Sequence, residues 1–337
     1  MTTYGIPTKI INIIKEIYTE AQCTIKTEQS FTSKFNILTG VRQGCVLSPF
    51  LFNLAMNFVL KNTQELNSGI DWGNSILSDL DFADDICLLH NKTEEMQKST
   101  TALYTTSQKL GLYINKNKTM IMKNDRLHDD THIDIQGIIF KEVDNFCYLG
   151  STISKDGDCR HDIDRRIILA RLAFKSLNNL WRQTNISIKT KLRIFTTNVL
   201  SVLSYGAETW KSNKSIEKRL NTFQNHCLRN ILKIKCSEHV TNEELLKRAK
   251  TKPLSSIIKR RRLTFLGHVL RKISNNIGKQ TFNFLLKNNI QGKRKQGRPK
   301  DIYKKTILKE LQNKWNNVEN IAQNRSLWKK LTNALCA

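Results

Sequence analysis

The stretch Ile76-Leu-Ser-Asp-Leu-Asp-Phe-Ala-Asp-Asp-Ile-Cys-Leu-Leu-His90 decides how the rest of the chain is read. Leu80, Phe82, Ile86 and Leu88 fall on one side of a period-2 pattern, and Asp84 occupies the same side between them. The alternation predicts a buried strand pair interrupted by Asp84 and Asp85. Two adjacent carboxylates in an apolar strand are costly, because burying an unpaired carboxylate raises its pKa or destabilises the fold. A divalent cation removes that cost, and hard oxygen ligands suit Mg²⁺. A polar hairpin turn, where Asp is a common residue, accounts for the same two positions.

Upstream, Pro7 opens a helix over 8–21 in which Ile10, Ile13, Ile14 and Ile17 recur at helical spacing. The runs 23–26 and 31–37 suggest a hairpin. A loop from Gly40 to Pro49 then feeds an apolar helix over 50–60. Downstream, a helix over 94–110 ends at Gly111, and short strands are predicted over 119–122, 133–139 and 146–149. Up to Gly157 the pattern is α+β, and beyond it no strand is predicted. The apolar positions Ile163, Ile167, Ala170, Phe174, Leu177 and Trp181 step by three and four, the stripe of a long amphipathic helix. Arg160, Arg165, Arg166, Arg171, Lys175 and Arg182 stud its other surfaces. Further helices are predicted over 189–203, 216–232, 242–249 and 255–270. A Gly-, Lys- and Arg-rich linker, 291–300, precedes a final pair near 302–315 and 327–335.

The 337 residues carry 55 Lys plus Arg against 29 Asp plus Glu, a net charge of +26, and are 39% hydrophobic. That apolar share is enough to bury a core and argues against disorder. So large a surplus points to a polyanionic partner rather than to solubility alone. Residues 1–100 hold 8 basic and 11 acidic side chains, so the surplus lies in the later part. It is densest from Lys247 to Glu310, with 20 Lys or Arg and only Asp301 and Glu310 against them. No apolar run has the roughly 20 residues of a membrane span, and no signal-peptide plan opens the chain, so an intracellular protein, nuclear or cytoplasmic, with no membrane partner is expected. Eight scattered cysteines without a C-x2-C pair read as reduced thiols.

Four segments taken in order, Gly40-Val-Arg-Gln-Gly-Cys-Val-Leu-Ser-Pro49, Phe82-Ala-Asp-Asp85, Gly111-Leu-Tyr-Ile-Asn115 with Lys118-Thr119, and Tyr148-Leu-Gly150, resemble the reverse transcriptase of non-LTR (LINE-type) retrotransposons. The likeness extends to Tyr4-Gly-Ile-Pro7, Ser204-Tyr-Gly-Ala-Glu-Thr-Trp210, Phe265-Leu-Gly-His-Val-Leu-Arg271, Gly297-Arg-Pro-Lys300 and Ala334-Leu-Cys336. It implies an α+β fold: a partial palm of antiparallel sheet with helices over 1–157, a helical thumb-like region over 158–235, and a basic helical C-terminal region over 236–337. The partners implied are an RNA template, a DNA primer or target, and deoxynucleoside triphosphates.

Carried over residue by residue, the resemblance makes Asp84 and Asp85 the metal-binding pair, for Mg²⁺ or Mn²⁺. Two ions about 3.5–4 Å apart would activate a primer hydroxyl and stabilise the leaving pyrophosphate. Gln43 and Gly44 would lie under the nascent base pair, and Lys118 near the incoming triphosphate. Phe146, Tyr148, Leu149 and Gly150 would match the primer-grip turn, although core packing equally explains Tyr148 and Leu149. One departure stands out: the family places a further aspartate ahead of the Tyr4 segment, and none of Glu16, Glu20, Glu28, Glu65, Asp71, Asp79 and Asp81 has that context. The expectation is therefore the C-terminal part of a reverse transcriptase, with little or no activity alone. Separately, Arg260, Arg261 and Arg262, and Lys293, Arg294, Lys295, Arg298 and Lys300, are closely spaced cations suited to neutralising phosphates. Trp181, Trp210, Trp315 and Trp328 sit in apolar stripes and are expected in the core.

Overall fold

The computed structural model describes residues 1–28, 30–64, 69–71, 76–124, 132–274, 276–287, 303–312 and 317–336. In chain order the first elements are α1 (Thr8–Tyr18), β1 (Gln22–Cys23), β2 (Phe35–Asn36), α2 (Ser48–Gln64), β3 (Ile70–Asp71), β4 (Ile76–Leu77), β5 (Asp79–Phe82), β6 (Asp85–Leu88) and α3 (Thr93–Lys109). Then come β7 (Met120–Ile121), β8 (Asp134–Ile135), β9 (Ile138–Ile139), β10 (Lys141–Glu142), β11 (Asn145–Tyr148) and β12 (Ser151–Ser154). The helices that follow are α4 (Arg160–Ser176), α5 (Asn178–Arg182) and α6 (Ile188–Ile194), which widens into a π turn over Phe195–Leu200 and closes as α7 (Ser201–Leu203). The last are α8 (Lys214–Ile231), α9 (Asn242–Arg248), α10 (Leu254–Leu270), α11 (Ile277–Lys287), α12 (Tyr303–Glu310), α13 (Val318–Gln323) and α14 (Arg325–Leu335). Two compact units result: one from Met1–Asp71, Ser75–Thr119 and Asp129–Lys141, the other chiefly from Glu142–Ala337.

In the first unit α2 packs on α3, which also meets β6 and β8. The Gln97 amide on α3 donates to the Asp134 carbonyl at 2.8 Å and accepts from the Asp134 N–H at 3.0 Å, so one side chain supplies β8 with the bonds a neighbouring strand would give. Among the described residues the sheets are two-stranded, including β1–β2, β5–β6 and β8–β9, rather than one continuous palm sheet. Tight turns join β5 to β6, β8 to β9 and β11 to β12, whereas β7 pairs with the more distant β10.

The β5–β6 register corrects the reading of its pattern. Phe82 pairs with Asp85, Asp81 with Ile86, Leu80 with Cys87 and Asp79 with Leu88. A two-residue turn flips the parity of the returning strand. Leu80 and Phe82 therefore share one face with Cys87 and Asp85, while Ile86 and Leu88 share the other with Asp79 and Asp81. Nor is the pair buried: Phe82 is 65% exposed, and Asp84 and Asp85 are exposed.

In the second unit the predicted stripe does its work. Ile163, Ile167, Ala170 and Phe174 of α4 enter a core with Trp181, Phe195, Val199, Leu203, Trp210 and the buried face of α8. Phe174 stacks on Trp181 with ring centroids 5.1 Å apart and meets Phe195 edge-on at 6.1 Å. Full burial of each such apolar side chain stabilises the fold by roughly 1.5–3 kcal/mol. The buried Lys191 ammonium donates to the Trp181 carbonyl at 2.8 Å, satisfying the end of α5. Gln224, fully buried on α8, accepts from the Leu254 N–H at 2.7 Å and donates to the Lys252 carbonyl at 3.0 Å, fixing the start of α10. Beyond Ile258, α10 changes partners: Leu263, Leu266, Val269 and Leu270 join a second core with Phe282, Ile307, Leu311, Val318, Ala322 and Trp328. Trp181, Trp210 and Trp328 are core residues, and Trp315 lies outside the described residues. No helix among the described residues is long and apolar enough to cross a membrane.

Candidate functional site

Asp84 sits at the tip of the β5–β6 hairpin, whose two-residue turn holds Ala83 at φ 56°. Its carboxylate and that of Asp85 are adjacent hard-oxygen donors facing solvent. Mg²⁺ is commonly held by one or two carboxylates together with water and substrate phosphates, so this pair fits such an ion. Among the described residues no third ligand completes a protein-only cluster. Asp79 and Asp81, two apart on the opposite face from Asp85, form a second carboxylate pair. The hydrogen bond with Asp79, then burial and the Asp79 charge, push the Asp81 carboxyl up to about 6. The Asp-x-Asp spacing on a strand was the signal for that pairing.

The Gly40–Pro49 loop is tied to α1. Arg42 donates to the Ile17 carbonyl at 2.8 Å and lies over the Tyr18 ring at 5.6 Å, while the Tyr18 and Ser48 hydroxyls are 3.2 Å apart. Gln43 and Gly44 are thereby presented on an exposed bend. Lys118 is exposed at the end of a turn organised by Asn115, whose side-chain oxygen accepts the Lys118 N–H at 3.2 Å.

The fourth motif is the most heavily braced. Tyr148 ends β11, and Leu149 (φ 46°) and Gly150 (φ 81°) turn the chain into β12. Three side chains from the helical region hold that turn by its backbone. Tyr205 Oη donates to the Leu149 carbonyl at 2.9 Å, Arg165 donates to the Gly150 carbonyl at 2.8 Å, and Arg166 donates to the same oxygen. The Arg166 guanidinium lies over the Tyr205 ring at 4.3 Å. Below the turn the buried Asp162 accepts from the Thr152 N–H and from Trp210 Nε1, both at 2.8 Å. Gly206, at φ 70°, comes so close to the Ser151 hydroxyl that a Cβ has no room. The segments Tyr148-Leu-Gly150 and Ser204–Trp210 are thus two halves of one structure. Phe146 and Tyr148 are half-buried on β11.

Of the cations singled out from sequence, Arg260 and Arg261 are exposed on α10. Arg262 is not available to a phosphate: it is 2% exposed and spends its guanidinium on Glu310. It lies in register with Ile258 and Leu266, four residues to either side, on the face that turns to the core. Lys293, Arg294, Lys295, Arg298 and Lys300 lie outside the described residues.

A family described as reverse transcriptase (RNA-dependent DNA polymerase) matches residues 1–153, and a domain of unknown function matches residues 173–205. Over 207 residues the chain is 28% identical to a transposon-derived protein of Caenorhabditis elegans, covering 58% of this chain and 72% of that one. It is 33% identical over 107 residues to the Pol polyprotein of the type-1 retrotransposable element R2 of Nasonia vitripennis, covering 32% of this chain. A match at 26% identity over 170 residues links it to the Pol polyprotein of the type-2 element R2DM of Drosophila melanogaster, covering 48% of this chain. The chain spans 10% and 16% of the lengths of those two polyproteins. With its motifs in order on the elements just described, the chain is similar over residues 1–153 to reverse transcriptases, and its relatives include Pol polyproteins of R2 retrotransposable elements.

Proposed function

We propose that this chain supplies the metal-binding hairpin and the primer-holding turn of an RNA-directed DNA polymerase that copies an RNA template onto a DNA primer. The observation that carries the reading is the pair Asp84 and Asp85, exposed at a hairpin tip inside the segment that matches the reverse transcriptase family. Reverse transcriptases generally use divalent ions, Mg²⁺ as a rule. Such ions, when bound, activate the primer 3′ hydroxyl and neutralise the leaving pyrophosphate. The chain's own residues do the positioning. Asp84 and Asp85 hold the ions, and Gln43 and Gly44 support the nascent base pair from a loop fixed by Arg42. Lys118 approaches the triphosphate. Phe146 and the Tyr148–Gly150 turn seat the primer strand, held still by Tyr205, Arg165 and Arg166.

A site loose by an ångström loses orders of magnitude in rate, so the bracing of the turn bears directly on activity. Among the described residues no third carboxylate joins the pair, so the ions are held weakly and extension by this chain is expected to be slow. The test is extension of a DNA primer on an RNA template with Mg²⁺ or Mn²⁺, beside Asp84→Ala and Asp85→Ala. Weak extension lost in both variants supports the reading. Extension that survives both substitutions refutes it, and template–primer binding without any extension would leave a nucleic-acid-binding role alone.

A further inference from the structure

In the second unit, α10 turns one face to solvent from Arg260 to His268. Ile257, Arg260, Thr264, Phe265, His268 and Arg271 recur at steps of one to four residues on a single arc of the helix, and with Arg325 from α14 they line an open groove of about 660 Å³. At about 1.5 Å rise per residue, Arg260 and Arg271 stand about 16 Å apart along the helix.

The charges in this groove are unbalanced. Its one carboxylate, Glu208, is taken by Arg261 at 2.8 Å, and Arg261 also donates to the Ser204 hydroxyl. Arg260, Arg271 and Arg325 pair with no carboxylate among the described residues. Burial and the neighbouring Arg325 charge hold the Arg271 guanidinium below its ordinary pKa. Arg325 is the first residue of α14, where the positive end of the helix dipole opposes a cation and favours an anion. Arg271 donates to the Ala322 carbonyl at 3.0 Å, but a carbonyl carries no charge, and a chain of phosphates would balance the three cations. Phe265, 40% exposed, stands among these cations on the same face. An aromatic ring beside a row of arginines suits unpaired bases, whose faces are free to stack, better than a duplex, whose faces are covered.

We propose that this face of α10, together with Arg325, is a binding groove for single-stranded polynucleotide, with phosphates on Arg260, Arg271 and Arg325 and a base stacked on Phe265. The groove shares no residue with the Asp84 hairpin and does not depend on the polymerase reading.

The test measures fluorescence anisotropy of a labelled single-stranded oligonucleotide, and of the same sequence as a duplex, with the full chain across a salt series. Phe265→Ala is expected to weaken single-strand binding roughly tenfold and to leave duplex binding unchanged. Phe265→Tyr, which keeps a stacking ring, should retain affinity. Arg260→Gln with Arg325→Gln should reduce the slope of log K against log salt by about 1.4, two phosphate contacts at about 0.7 each. Equal loss of single-strand and duplex affinity in Phe265→Ala, failure of Phe265→Tyr to keep affinity, or an unchanged salt slope in the double variant would overturn the proposal. So would polyglutamate of matched charge competing as well as the oligonucleotide. Primer extension in Asp84→Ala reads the polymerase site and oligonucleotide affinity in Phe265→Ala reads the groove, so the two readings fail independently.

Discussion

The Tyr205 hydroxyl donates to the Leu149 carbonyl at 2.9 Å, joining two sequence motifs 56 residues apart. Arg166 completes the link from the side: its guanidinium bonds the Gly150 carbonyl, covers the Tyr205 ring and lies 3.9 Å from the buried Asp162. The turn expected to seat a primer is thus held by the helices that follow it in the chain. Tyr205→Phe removes one hydrogen bond from a half-exposed ring and should cost about 0.5–1 kcal/mol. Arg166→Ala leaves Asp162 short of a cation and should cost roughly 2–3 kcal/mol. Urea unfolding gives both values. A cost for Arg166→Ala no larger than for Tyr205→Phe would remove Arg166 from the centre of this brace.

Asp84 and Asp85 predict the opposite balance. Both are exposed, so Asp84→Asn and Asp85→Asn should change stability by less than about 0.5 kcal/mol. The same substitutions should weaken Mn²⁺ binding and abolish any primer extension, as should EDTA on the unsubstituted chain. Undiminished Mn²⁺ binding in the double variant, measured by calorimetry, would move the metal site elsewhere.

What the sequence made legible here follows periodicity and local chemistry. The stripe from Ile163 to Trp181 announces the helix that organises the second unit, broken only where Leu177 separates α4 from α5. The Asp84 turn is equally legible, but its neighbourhood is not. Period-2 counting runs straight through a two-residue turn and assigns Ile86 and Leu88 to the wrong face, because parity reverses only once the turn is known. Arg262 was hidden in a run of three arginines, although its four-residue spacing from Ile258 and Leu266 marks it as inward-facing. The six-residue α13 is too short for its periodicity to stand out, whereas α11 carries an amphipathic pattern behind Asn276 that the reading passed over. Contacts such as Tyr205 to Leu149 have no local signature, since nothing in either segment names the other.

Gly267 shows a packing constraint inside the Phe265–Arg271 motif. The Trp328 indole lies where a Cβ on residue 267 would project, and its Nε1 donates to the Leu263 carbonyl at 2.9 Å. Alanine there must push a buried tryptophan off its hydrogen bond. Gly267→Ala should therefore destabilise the second unit by about 1–3 kcal/mol, although alanine is the better helix former by about 1 kcal/mol. Tryptophan fluorescence during denaturant unfolding reads the change directly. A more stable Gly267→Ala protein would show that Trp328 has room to move.

Glu310 gives the second unit a pH dependence of determinate sign. Its carboxylate meets Arg262 in a nearly dry setting, at 11% and 2% side-chain exposure. Burial pushes its pKa up from 4.5 to about 7, with Arg262 and Lys259 opposing that rise and Glu217 adding to it. A carboxyl with a raised folded-state pKa favours the native state in its neutral form. Its contribution is full below pH 4.5 and is lost as pH rises through about 7. At about 1.4 kcal/mol per pH unit the loss approaches roughly 3 kcal/mol across that window. Glu310→Gln keeps the shape and removes the titration, so its stability relative to the unsubstituted chain should improve steadily between pH 5 and 8. Parallel stability profiles for the two proteins over that range would mean that Arg262 holds Glu310 ionised throughout, and that the ion pair outweighs the burial.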